Sequence, residues 1–135
     1  PKAESGAAAA QSENDIFVQR MMENLKNPHD TIKADVLAEK LTNGSGPMVV
    51  DVRPPDMFAD QHIGGSVNIP QEDLHEQADK LPENREAEIV MVCGIGKFSK
   101  NTTLYLKSMG YRNVRSLKGG LGEWARKGHP LRKGD

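Results

Sequence analysis

A single cysteine, Cys93, follows the apolar run Ile89-Val90-Met91-Val92 and precedes Gly94-Ile95-Gly96-Lys97-Phe98-Ser99. Nucleophilic attack by sulfur is the chemistry this order of residue types can perform. The β-branched and apolar run reads as a buried strand, and the stretch from about Ser99 to Met109, closed by Gly110, reads as a helix. Cys93 then stands at the carboxyl edge of a strand, on a loop that opens a helix. Gly94 and Gly96 allow successive N–H groups to turn inward and form an anion-binding concavity at the helix start. A sulfur held there is favoured as an anion, and Lys97 and Lys100 add positive charge nearby. The alternative for a lone cysteine ending an apolar strand is burial as a small hydrophobe. Packing alone does not require two glycines in the next three residues followed by lysine and a helix start, so the reactive reading is preferred.

The elements that must position this loop alternate regularly from Thr31 onward. Ala34 to Thr42 carries Val36, Leu37 and Leu41 at helical spacing and stops at Asn43-Gly44. Met48 to Val52 reads as a buried strand, Pro54-Pro55 opens a helical turn through Phe58, Ser66 to Ile69 is a short strand, and Pro70 to Leu74 a turn. After the Cys93 strand and its helix, Val114 to Leu117 is a further strand, Gly119-Gly120 a tight turn, and Leu121 to Lys127 a last helix that carries Trp124. Such alternation predicts an α/β fold with a mostly parallel sheet and helices on both faces. Ligands bind beyond the carboxyl ends of strands in such sheets. Asp51-Val52-Arg53 and Cys93 meet there if their strands are parallel neighbours. Upstream, residues 1–11 read as a disordered tail, and residues 12–28, with Ile16, Phe17, Met21, Met22 and Leu25 at helical spacing, as an extra amphipathic helix. Residues 29–133 form the domain.

With 135 residues, the chain is sized for one domain with a real core. One cysteine forms no intramolecular disulfide, and no Cys/His cluster has zinc-ligand spacing, so no metal is expected. No apolar run is long enough to span a bilayer and no signal pattern opens the chain, so a soluble, cytoplasmic protein is expected. A start at Pro1 is also compatible with a targeting segment removed by processing. The net charge is −1, but from Lys97 onward there are Lys97, Lys100, Lys107, Arg112, Arg115, Lys118, Arg126, Lys127, Arg132 and Lys133 against Glu123 and Asp135. That asymmetry reads either as an electrostatic funnel for small anions or as solvated helix faces. Scarce aromatic residues and a balanced overall charge argue against nucleic acid.

Over residues 31–131 the chain resembles the single-domain rhodanese, or sulfurtransferase, family. Val49 to Arg53 with Phe58 and His62 to Pro70 is similar to the family's amino-terminal signature, and Val90 to Ser99 to its active loop. Leu106 to Tyr111 with Val114, then Leu117-Lys118-Gly119-Gly120-Leu121 with Trp124, Gly128 and Pro130, resemble the following helix, strand and closing signature. The resemblance implies a rhodanese-like three-layer fold with about five short strands. It also implies ping-pong covalent catalysis: Cys93 takes the sulfane sulfur of a small anionic donor such as thiosulfate, becomes a persulfide, and passes the outer sulfur to a thiol or cyanide. No metal or organic cofactor is implied. Cys93 would be the nucleophile, Gly94, Ile95, Gly96, Lys97, Phe98 and Ser99 the substrate-binding loop, and Asp51 and Arg53 a supporting polar pair.

Many family members read Cys-x-x-Gly-x-Arg-Ser in this loop, whereas here Phe98 occupies the arginine position and Lys97 stands one place earlier. Lysine offers a point charge rather than a planar fork, and Phe98 supplies an apolar wall. Thiosulfate, glutathione persulfide and mercaptopyruvate are all candidate donors. The related phosphatase and arsenate-reductase chemistry needs Cys-x5-Arg, and Ser99 at that arginine position argues against it. His62 is expected to be structural and Trp124 a core anchor, while His29, His75 and His129 are assigned no role. Two alternatives to turnover stand beside the enzyme reading: a non-catalytic rhodanese-like protein-binding module, and a persulfide carrier in a relay with a partner protein.

Overall fold

A computed structural model of the chain describes residues 15, 16, 18, 19, 30–44 and 46–134, apart from the side chain of Lys97. The tail expected over residues 1–11 lies outside the described residues. So does the helix expected over 12–28, except for Asp15, Ile16, Val18 and Gln19, which are helical.

The elements run β1 (Thr31–Ile32), α1 (Ala34–Thr42), β2 (Met48–Asp51), α2 (Pro55–Asp60), β3 (Val67–Asn68), β4 (Glu88–Val92), α3 (Lys97–Ser108), β5 (Asn113–Leu117) and α4 (Gly120–Arg126). Two 3₁₀ turns, Gln71–Asp73 and Ala78–Lys80, join β3 to β4. The five strands form one sheet in the order β1-β5-β4-β2-β3, with every pairing parallel. This is the α/β architecture expected from the alternating pattern. Two details differ. β1 is a two-residue edge strand, too short to show periodicity, and α3 begins at Lys97 rather than near Ser99.

The apolar run of β4 is continuous because both of its faces are covered. Ile89 and Met91 point into one cluster with Val50, Ile69, Leu106 and Val114. Val90 and Val92 point into the other with Leu37, Val49, Leu117 and Trp124. α3 and the 3₁₀ turns cover the first face, α1 and α4 the second. Trp124 is the anchor expected of it: buried, with Nε1 donating to Pro130 O at 2.9 Å. His62 is structural as expected. Its ring stacks on Phe58 at 3.9 Å between centroids, and its backbone bridges to Arg132.

Much of the positive charge in the carboxyl third is tied down by carboxylates. Lys107 pairs with Asp30 at 2.7 Å, Arg112 with Glu86 at 3.5 Å, Arg115 with Glu88 at 2.8 Å and Arg126 with Glu123 at 2.7 Å. Lys127 and His129 converge on Asp35, joining α1 to the end of α4. The hydrogen bond to His129 and the charge of Lys127 hold the Asp35 carboxyl below its ordinary value. Charge on these residues serves the surface of the fold more than a funnel toward the loop.

β2 and β4 end side by side, since Asp51 is in register with Val92 and Val52 N–H donates to Val92 O at 2.9 Å. Just past that edge, Arg53 folds back on Asp51. Nε and Nη2 donate to the two carboxylate oxygens at 2.9 and 2.8 Å, and the Arg53 amide adds a third bond at 3.1 Å. Nη2 also donates to Gln61 O, fastening the end of α2 to the end of β2. Both partners are buried. Removing one charge of a buried pair strands the other, at a cost of about 3–5 kcal/mol. Asp51→Asn is therefore expected to lower unfolding stability by about that amount, read as the shift in urea midpoint at unchanged slope.

Candidate active site

Cys93 leaves β4 at the edge where β2 also ends, and its side chain turns toward the first residues of α3. Gly96 N–H donates to Cys93 Sγ at 3.0 Å and Ser99 N–H donates at 3.3 Å. Gly96 is the N-cap residue of α3 and has no side chain with which to satisfy the helix's free amides. The sulfur takes that place, bonded to the amide of the third helical residue as a capping serine or aspartate oxygen would be. Negative charge on Sγ therefore meets the positive end of a helix of 12 residues, as well as two aimed N–H donors. Gly96 itself sits at φ +85°, where residues with a Cβ are strained. Gly94 has no positive φ, and a Cβ there would meet no atom within 4 Å, so of the two loop glycines only Gly96 is demanded by conformation.

A second helix holds the same loop from the other side. Leu121 N–H donates to Cys93 O at 2.8 Å and Gly122 N–H to Gly94 O at 2.9 Å, so the first turn of α4 is satisfied by the carbonyls of the cysteine loop. The backbones approach so closely that a Cβ on Gly120 would lie 2.5 Å from Cys93 O and 2.6 Å from Gly96 N. Gly120 also has φ +61°. The glycine pair of the closing signature is thus part of the site, although nothing local in the sequence places it there. Only its resemblance to the family's closing signature marks it.

Over the sulfur opens a cavity of about 320 Å³, walled by Val52, Arg53, Met57, Glu72, Ile95 and Phe98 among others. Cys93 is 2% exposed at its floor. Three apolar side chains stand at the rim: Ile95 is 70%, Phe98 52% and Met57 48% exposed. Phe98 forms the apolar wall expected of it. Arg53 lines the cavity, but its guanidinium is engaged by Asp51 and Gln61 O, and Asp51 stands behind it. Lys97 opens α3, with its side chain outside the described part of the structure. Glu72 and Met57 are additions to the expected site, because they come from the 3₁₀ turn and α2, which sequence spacing does not connect to Cys93. Among the described residues, no three His, Cys, Asp or Glu side chains gather to hold a metal ion, and no helix is long and apolar enough to cross a membrane.

A five-stranded parallel sheet that delivers one cysteine, from its carboxyl edge, to the start of a helix defines an α/β domain arranged around that sulfur. The rhodanese-like domain family model matches residues 33–127, and the chain belongs to that family. It is 35% identical over 95 residues to "adenylyltransferase and sulfurtransferase uba4" of Ogataea parapolymorpha, covering 70% of this chain and 24% of that protein. The chain thus spans about a quarter of that relative. A sulfurtransferase of Allochromatium vinosum is 29% identical over 100 residues, covering 74% of this chain and 92% of the relative. Thiosulfate sulfurtransferase GlpE of Pseudomonas fluorescens is 39% identical over 79 residues, covering 58% and 71%. Among solved structures, the rhodanese-like domain of the Anabaena sp. Alr3790 protein superposes with a TM-score of 0.70 at 28% identity, covering 78% of this chain and 80% of that one.

Because the contact at Gly120 is between backbones, neither partner can swing aside. Gly120→Ala is expected to displace the loop from α4, lowering stability by about 1–3 kcal/mol. It is also expected to change the rate at which iodoacetamide alkylates Cys93. Thermal unfolding and timed alkylation of the same sample read both effects, and an unchanged alkylation rate would show that the clamp does not set the sulfur's position.

Proposed function

We propose that this domain is a sulfurtransferase that moves sulfane sulfur from a small donor of the thiosulfate type to a thiol or cyanide acceptor through a persulfide on Cys93. The observation that carries this reading is the sulfur on the floor of an open cavity, capping α3 through two N–H donors. In the loading step the Cys93 thiolate attacks the outer sulfur of the donor. A bond forms between Sγ and that sulfur, the donor's own S–S bond breaks, and the leaving group departs with the electron pair, as sulfite when the donor is thiosulfate. In the second step an acceptor thiolate or cyanide attacks the outer sulfur, and Cys93 leaves as a thiolate. Fixed amides and the helix end need no rearrangement to stabilise the charges involved, which is the condition for electrostatic catalysis. The loop from Gly94 to Ser99 is the binding cradle in this reading, Lys97 its charged helper, and Asp51 with Arg53 the support beneath it.

The rim of Met57, Ile95 and Phe98 favours a second reading, in which the physiological acceptor is a protein. Exposed apolar side chains around a nucleophile are suited to a desolvating partner surface. The domain would then be a persulfide carrier in a sulfur relay. The name of the Ogataea relative, which joins an adenylyltransferase to a sulfurtransferase, supports sulfur transfer within a larger system.

Intact-protein mass after incubation with thiosulfate and rapid desalting tests the first reading. One added sulfur atom on the wild type, absent from Cys93→Ser and removed by cyanide, is the expected result. Cys93→Ser is expected to unfold cooperatively and to show no transfer. No adduct with thiosulfate, glutathione persulfide or mercaptopyruvate would leave the non-catalytic binding module as the better account. Lys97→Ala is expected to raise KM for anionic donors more at low than at high ionic strength, if Lys97 acts by charge attraction, which salt screens. Equal effects at both ionic strengths would assign Lys97 a positional role.

A further inference from the structure

Behind the nucleophile lies a buried hydroxyl that belongs to neither the loop nor its helix. Ser116 is on β5, beside β4, and is 1% exposed, while Ser99 on the first turn of α3 is 0% exposed. Their Oγ atoms are 2.7 Å apart, and Ser99 Oγ is 3.4 Å from Cys93 Sγ. The three side chains form a file from the neighbouring strand to the sulfur.

Each hydroxyl in the file has one hydrogen to place. Among the described residues, Ser99 Oγ is the one hydrogen-bond partner of the Ser116 hydroxyl. As a thiol, Cys93 donates to Ser99 Oγ; once Sγ is a thiolate it has no hydrogen to give, and when Ser116 donates to Ser99 Oγ the hydrogen of Ser99 is left for the other atom that oxygen reaches, Sγ. Hydrogen bonds in such a chain strengthen one another in a low-dielectric interior, and more so when the last acceptor is an anion. We infer that Ser116 is a positioning residue for Cys93: it turns the Ser99 hydroxyl onto the sulfur and stabilises Sγ as the thiolate leaving group when the persulfide is discharged. This rests on the sulfurtransferase reading above.

The two half-reactions distinguish such a role from a merely structural one. In discharge by cyanide, cyanide attacks the outer sulfur, the bond to Sγ breaks, and Sγ keeps the electron pair while thiocyanate leaves. Negative charge grows on Sγ, so the file acts on the transition state. In loading, charge leaves Sγ, and a donor that steadies the thiolate also restrains its attack.

Single-turnover loading by thiosulfate and discharge by cyanide would be followed by intact mass in the wild type, Ser116→Ala, Ser116→Thr, Ser99→Ala and the double alanine variant. Thermal unfolding would establish that each is folded. Ser116→Ala is expected to discharge about three- to tenfold more slowly and to load with a smaller change, with no change in KM for cyanide at steady state. Ser116→Thr keeps the hydroxyl and is expected to discharge at close to the wild-type rate. The double variant is expected to be no slower than Ser99→Ala, because Ser116 acts through Ser99. Should Ser116→Ala not fold, Ser116→Gly removes the same hydroxyl and is judged in the same way. Discharge at the wild-type rate in the hydroxyl-free variant, equal slowing of both halves, or additive losses in the double variant would each overturn the inference. A wild type that loads and discharges while the variants match it refutes Ser116 alone. A wild type that never loads refutes the underlying reading and this inference with it.

Discussion

Two helix ends converge on one residue. The amides of α3 take the sulfur of Cys93, and the amides of α4 take its carbonyl and that of Gly94. The free N–H groups of a helix start must be satisfied by something, and in each helix the cysteine loop supplies the acceptor. The loop's backbone is in turn held by main-chain donors rather than by side chains. Much of the rest of the fold can be understood as what brings those two helix starts to the same strand end. α3 follows β4 directly, and β5 lies against β4, so the turn that leads from β5 into α4 emerges beside the loop.

The order of the sheet makes this meeting possible. β4 is central, flanked by β5 and β2, and both of its faces are buried in apolar clusters. A central strand with two paired edges has little freedom to shift its register, so the residue after Val92 is held as firmly as the sheet itself. On the β2 side, the Asp51 and Arg53 pair and the two bonds from Asn68 Nδ2 to the carbonyls of Asp51 and Arg53 close off the neighbouring strand end. Arg53 lines the cavity, but its guanidinium is engaged by Asp51 and Gln61 O. What the cavity offers to a ligand is therefore apolar rim, loop backbone, helix end and the side chains of Gln71 and Glu72, not a free guanidinium.

The alternation of strands and helices is legible from Thr31 to Lys127 because burial on both faces writes itself as short apolar runs, and helix stops as glycines. The position of Cys93 is legible for the same reason: a strand, a cysteine, a glycine-spaced loop and a helix in sequence occupy adjacent places in space. Contact between distant segments has no such local mark. Gly120 looks like any turn glycine until the place a Cβ would take is found filled by the backbone of Cys93, Gly94 and Gly96, and Ser116 looks like a polar residue on a strand until it is found behind Ser99. β1 is not singled out by the sequence, since Thr31 and Ile32 are two residues without an alternating run around them, whereas the equally short β3 lies within the alternation of Ser66 to Ile69. The asymmetry of charge leaves a funnel and solvated helix faces both open, because sequence counts charges and not their partners. Pairs such as Lys107 with Asp30 join residues far apart in the chain.

Cys93 and the mouth above it are written in different parts of the same short loop. Sγ is seated by main-chain amides, by the close approach of glycine backbones and by a hydroxyl facing inward, whereas Ile95 and Phe98 project from the loop toward solvent. On the sulfurtransferase reading, substitution at these outward positions would alter what approaches the sulfur and leave the geometry that holds it intact. On that reading, a domain built in this way can change its clientele by drift at the rim while its chemistry stays constant, and kinship in the loop's backbone is then a poor guide to its donor or acceptor.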